Sequence, residues 1–166
     1  MDPLPPEFTQ VFFRASVPSA GWPQKFAVVT AHNPDGQLVE PAANDAADEE
    51  LRASIEKLGL KHFRVTGGSR DEKYREPGWG FSSATPQLAK KLSLSFRQLA
   101  FFWIENDRLL LVDSRTGEST DQAGWQDRWL GPEIVPLRLV FINSQQVPNP
   151  NNHDEESCLN QPRENQ

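Results

Sequence analysis

The chain reads as an α+β domain in two layers, a mainly antiparallel sheet with two helices packed on one face. Three observations lead there. Short apolar or alternating segments recur between clusters of Gly, Pro, Asn and Asp, as strands do. Two other stretches repeat apolar residues at three- and four-residue spacing, as amphipathic helices do. Two strongly apolar runs, QLAFFWIE and RLLLVD, flank Asn106-Asp107, a pair that tolerates the positive backbone angles of a tight hairpin turn.

The elements follow in order. Met1 to Glu7 carries three prolines and two acids and reads as a flexible lead-in, and a short strand is expected within Thr9 to Ser16. Pro18, Gly21 and Pro23 interrupt the chain before the run KFAVVTAHNPDG, a buried strand that ends abruptly in Thr30, His32 and Asn33 at a sheet edge. A linker then reaches Asn44, which with Asp45 is a candidate cap for a helix. Asp45, Asp48, Glu49 and Glu50 complement the positive end of its dipole, Lys57 and Gly59 mark its other end, and Ala47, Leu51, Ile55 and Leu58 form its apolar face. Lys61 to Thr66 alternates as a half-exposed strand ended by Gly67-Gly68, with a crossover that would make it parallel to the Lys25 strand. SRDEKYREPGWGF has no period and is expected as an ordered loop. Thr85-Pro86 opens a second helix with Leu88, Ala89 and Leu92 inward. The Asn106-Asp107 hairpin, apolar on both faces, belongs in the middle of the sheet, and a last strand is expected at Ile134 to Ile142.

A length of 166 residues suits one domain. The expected division is a flexible segment at 1–8, a single α+β domain at 9–142 and a disordered tail at 143–166. The net charge of −6 disfavours attraction to a phosphate backbone, so nucleic acid is not an expected partner. Cys158 is the only cysteine, which excludes an intramolecular disulfide and fits a reducing cytoplasm. The start MDPLPPEFTQ lacks the basic and apolar regions of a secretory signal, and no apolar run reaches the roughly 18 residues of a spanning helix, so no membrane association is expected. No phosphate loop, nucleophile elbow or dinucleotide fingerprint occurs, and two strand histidines without a third ligand define no metal site. No cofactor is expected.

Several short motifs stand in a recognisable order: Thr30-Ala31-x-Asn33-Pro34-x-Gly36, Asn44 ahead of a helix with Leu51, Gly67 or Gly68, Glu76-Pro77, and Phe96-x-Gln98 entering an apolar strand. In these the chain resembles the bacterial family catalogued as domain of unknown function 3293, over about Phe26 to Val112. Family members tend to carry serine after the Glu-Pro pair, where this chain has Gly78. The resemblance implies a fold unit and a candidate site but no reaction type.

The candidate site is therefore argued from residues. Thr30, Asn33, Asn44, Arg70, Asp71, Glu76 and Gln98 all fall at element ends or in loops beside strands. Asn33 before Pro34 also suits a turn, Asn44 a helix cap, and Gln98 the anchoring of a loop. Glu76, between Tyr74 and Trp79, is the candidate catalytic carboxyl, since partial burial would raise its pKa toward that of a general acid or base. Asp71 is its candidate partner, and a surface ion pair with Arg70, Lys73 or Arg75 is the plainer alternative. Trp79 would supply an apolar wall. Trp125 and Trp129, at helical spacing, either close the core or face a partner.

Three functions fit these residues. The first is a small domain that binds a small polar ligand or a protein segment at the strand ends and the 69–81 loop. The second is a hydrolase or transferase with Glu76 as general acid or base and Arg70 as anion binder. The third is a protein-interaction module without a small-molecule pocket.

Overall fold

A computed structural model describes residues 2–134. Within them the chain runs β1 (Phe12–Arg14), β2 (Lys25–Thr30), α1 (Pro41–Lys57), β3 (His62–Gly68), β4 (Arg75–Ser82), α2 (Pro86–Ser95), β5 (Ala100–Glu105), β6 (Arg108–Asp113), β7 (Ser119–Gly124), α3 (Trp125–Arg128) and β8 (Trp129–Gly131). The strands form one sheet in the order β7-β6-β5-β2-β4-β3-β1-β8, antiparallel throughout except between β1 and β8. The expected α+β class with two main helices is thus the observed one, and the sheet is curled into a half-barrel.

Strand alternation gives the sheet two apolar faces. Ala27 and Val29 of β2, Trp79 and Phe81 of β4, and Phe101 and Trp103 of β5 point to the side where Leu51 and Ile55 of α1 and Ala89 and Leu92 of α2 cover them. The helices are tied down as well as packed. Arg64 of β3 donates two hydrogen bonds of 2.8 Å to the buried carboxylate of Asp48 in α1, and its guanidinium lies 3.8 Å above the Trp79 ring.

Phe26, Val28, Val65 and Ile104 point the opposite way, and among the described residues no main helix covers them. The sheet covers them itself. In the strand order, β2, β4 and β3 separate β5 from β1, which in a flat sheet would hold those strands about 19 Å apart. Instead the rings of Phe13 on β1 and Phe102 on β5 meet edge to face at 5.0 Å. Trp125 fills the space between, 5.0 Å from Phe13 and 5.1 Å from Phe26, and Trp22 packs on both Trp125 and Trp129. Curling this tightly requires small residues on the inner face. A Cβ on Gly80 would stand 2.5 Å from the Phe63 ring, and one on Gly78 2.7 Å from the Val29 carbonyl oxygen.

The structure corrects several expectations. SRDEKYREPGWGF is a loop only to Tyr74; from Arg75 it is β4, an interior strand paired on both sides. Its alternation is hidden because glycines occupy the inward positions opposite Trp79 and Phe81. Gly67 and Gly68 extend β3, paired with Glu76 and Arg75, rather than ending it. β2 and β3 are not a parallel pair, because β4 lies between them. Helix α1 starts at Pro41, so Asn44 and Asp48 are buried inside it, and Leu58 lies at its end, 48% exposed. β7 was not expected, since STDQAG carries no apolar pattern. Other expectations hold: Thr85 Oγ1 accepts from the Leu88 N–H at 3.2 Å, and Asn106 and Asp107 have φ of 51° and 68°. All but the first residue of the Ile134 to Ile142 strand lies outside the described residues, as do the 143–166 tail and Cys158.

Trp125 is 1% exposed and touches three other aromatic rings of the inner face. Trp125→Ala is expected to lower the unfolding free energy by about 3–5 kcal/mol in chemical denaturation.

Candidate functional site

The aromatic cluster closes one end of the curl, at the start of β2 and the end of β5. The other end stays open as a cavity of about 850 Å³. Val28, Val65, Ala100 and Phe102 line its inner part. The 3₁₀ turn Pro6–Gln10 forms an outer wall, held by Arg128, which donates to the carbonyls of Thr9 at 3.1 Å and Val11 at 3.0 Å.

The polar residues gather on the rim, where β2 ends and β4 begins. Asn33 sits in the left-handed region, with φ 49° and ψ 62°, which asparagine tolerates well. There its backbone N–H donates to Asn44 Oδ1 at 2.8 Å, and Asn44 Nδ2 donates back to Asn33 Oδ1 at 3.0 Å. This reciprocal pair fixes the Asn33 amide with its NH₂ group toward Tyr74 Oη, 3.4 Å away, and Glu76 Oε1, 3.5 Å away. The preceding loop is anchored in turn. Gln98 Nε2 donates to the carbonyls of His32 and Phe96, both at 3.0 Å, while Thr30 Oγ1 donates to Pro77 O at 3.0 Å and accepts from the His32 N–H at 3.1 Å. Asp35 and Arg97 form an ion pair across the same turn.

Burial sets the electrostatics. Glu76 lies on the inner face at the start of β4, and desolvation pushes its carboxyl up from 4.5 to about 7 against the opposing hydrogen bond from Asn33. Burial and the neighbouring Glu76 charge raise the Tyr74 hydroxyl, and burial lowers His32. The rim thus holds a carboxyl poised near neutrality beside a neutral phenol and a fixed amide.

Of the residues expected to form a site, Thr30, Asn33, Arg70, Glu76 and Gln98 line this cavity. Thr30 and Gln98 spend their bonds on the loop, and the exposed Arg70 stands with its guanidinium 5.6 Å from the Phe12 ring centroid. Asp71 is not the partner of Glu76. Its carboxylate holds the β3–β4 turn, accepting from the Ser69 hydroxyl at 2.6 Å and the Lys73 N–H at 3.1 Å. Trp79 is not the apolar wall, because three residues along a strand from Glu76 it faces the helices; Val28, Val65 and Phe102 supply the wall instead. Asn44 caps no helix and positions Asn33. Tyr74 and the Pro5–Phe13 wall were missed, since a lone tyrosine and a Pro-rich lead-in carry no signal of folding back over a sheet. Among the described residues no three His, Cys, Asp or Glu side chains group as metal ligands, and no helix is long and apolar enough to cross a membrane.

The raised carboxyl makes stability depend on pH with a definite sign. The native state binds the Glu76 proton more tightly than the unfolded chain, so the stability this group contributes is lost as pH rises from about 4.5 to about 7. Glu76→Gln is expected to leave stability at pH 4 nearly unchanged and to raise it at pH 8 by about 1–3 kcal/mol, after allowance for solvent screening. Urea titrations at the two pH values measure the difference. Asn44→Ala, by contrast, is expected to cost about 1–3 kcal/mol at both, because it strips two bonds from the Asn33 turn.

No curated protein and no solved structure matches the chain. A family match covers the stretch from β2 to the start of β5, which carries Asn33, Asn44, Glu76 and Gln98: residues 29–101 match the model of the family described as Protein of unknown function (DUF3293).

Proposed function

We propose that this domain binds a small ligand in the open end of the curled sheet, with an apolar body in the cavity and a polar head at Asn33, Tyr74 and Glu76. One observation carries the reading: a mainly apolar cavity of about 850 Å³ meets a fixed polar cluster at its rim. Ligand sites are commonly about 300–1,000 Å³, mostly apolar, with a few placed polar groups. The ligand of this reading is amphipathic rather than simply polar. A bacterial, cytoplasmic setting goes with the proposal.

The Glu76 carboxyl near 7 favours a second reading, a hydrolase or transferase in which it moves a proton. Asp71 is not available to assist it, so a second group would have to come from Tyr74 or the substrate. A partner surface built on Trp125 and Trp129 has less support, because Trp125 is buried and Trp129 donates through Nε1 to Ala15 O at 2.9 Å.

A fragment screen by NMR on the full chain tests the proposal. Fragments with an apolar body and one polar head are expected to shift Val28, Val65 and Asn33 resonances, and Asn33→Ala to weaken them about tenfold, the worth of one hydrogen bond. Hits confined to other surfaces would contradict it, and chemical turnover of a bound fragment that stops in Glu76→Gln would favour the second reading.

A further inference from the structure

We infer that the polar head is a protonated amine, seated between the Glu76 carboxylate and the Tyr74 hydroxyl, with its apolar body along Val28, Val65 and Phe102. This rests on the cavity reading above and names the chemistry that reading leaves open. Glu76 takes part in none of the ion pairs among the described residues. The one hydrogen bond it accepts from them is a long one, 3.5 Å from Asn33 Nδ2 to Oε1, which orients the carboxylate and leaves Oε2 open. A half-buried carboxylate without a cation is completed by a cationic ligand, because the attraction strengthens where water is excluded.

The neighbouring groups favour the same sign. Tyr74 Oη lies beside Glu76, and Glu7 of the outer wall lies close enough for its charge to raise the Tyr74 hydroxyl. An anionic head in this place would face two carboxylates. The cations that line the cavity are directed elsewhere. Arg128 spends its N–H groups on the carbonyls of Thr9, Val11 and Gln122, and Arg70 stands exposed by the Phe12 ring.

A pH dependence follows. Of the groups around Glu76, Tyr74 stays neutral below its raised value and His32 is held below its ordinary value by burial, while Glu7, Arg70 and Arg128 are the other acidic and basic side chains that line the cavity. With Glu76 held near 7, its ionised fraction rises about tenfold between pH 6 and pH 8, and amine binding rises with it.

The test compares n-octylamine, octanoate and 1-octanol, which share one apolar body, by NMR titration of the full chain at pH 6 and pH 8. Octylamine is expected to bind at least tenfold tighter than the other two at pH 8 and to weaken about tenfold at pH 6. Glu76→Gln is expected to abolish both differences; should that variant not fold, the wild-type ranking decides. Octanoate or octanol binding as tightly as octylamine would overturn the amine assignment and leave the cavity reading standing. Failure of every probe to shift a cavity residue would overturn both.

Discussion

A sheet that is apolar on both faces must have both faces covered, and among the described residues main helices cover only one. Leu51 and Ile55 of α1 and Ala89 and Leu92 of α2 seal the outer face over Trp79, Phe81, Phe101 and Trp103. The inner face is buried by the curl of the sheet itself, closed where Phe13 meets Phe102 and plugged by Trp125. The hydrophobic effect rewards this closure without specifying how far it goes. The large side chains are concentrated toward one end of the strands, so only that end fills.

The cavity is what the unfilled end leaves. Its position follows from β4, whose inward residues are Glu76, Gly78 and Gly80 and whose outward residues include Trp79 and Phe81. The glycines allow close approach of the Phe63 ring and of the Val29 backbone, and Glu76, one step beyond them toward the open end, is the carboxyl that the curl partly desolvates. Asn33 and Asn44 make that placement specific. Their mutual hydrogen bonds lock a left-handed residue at the end of β2 to the first turns of α1 and aim one amide at Glu76. A half-buried carboxyl held near neutrality by its own scaffold is a standing cost to stability, the kind retained where a ligand or a proton is handled.

Much of this was legible in the sequence because it rests on periodicity and turn chemistry. The β2 run, the faces of both helices, the Thr85 cap and the Asn106-Asp107 turn all obey local rules, and they suffice for the α+β class. Polar residues at strand ends brought forward Asn33, Glu76 and Gln98, which the fold gathers along one cavity. β4 was hidden for the reason it matters: its inward positions are glycines and an acid, which break the alternation by which strands are recognised. That misreading placed Trp79 on the same side as Glu76 and let Asp71 stand as its partner, although a strand sends residues 76 and 79 to opposite faces. The Asn33–Asn44 pairing and the fold-back of the Pro5–Phe13 wall are tertiary contacts with no local signature.

The curl of the sheet holds Glu76 in a partly desolvated pocket, paired with no cation among the described residues. A ¹³C NMR titration of the Glu76 carboxyl in the full chain tests it most directly. A midpoint near 7 is the predicted result. A midpoint near the ordinary value of about 4.3 would mean that water or a cation reaches the carboxyl freely, and would contradict the account of the site.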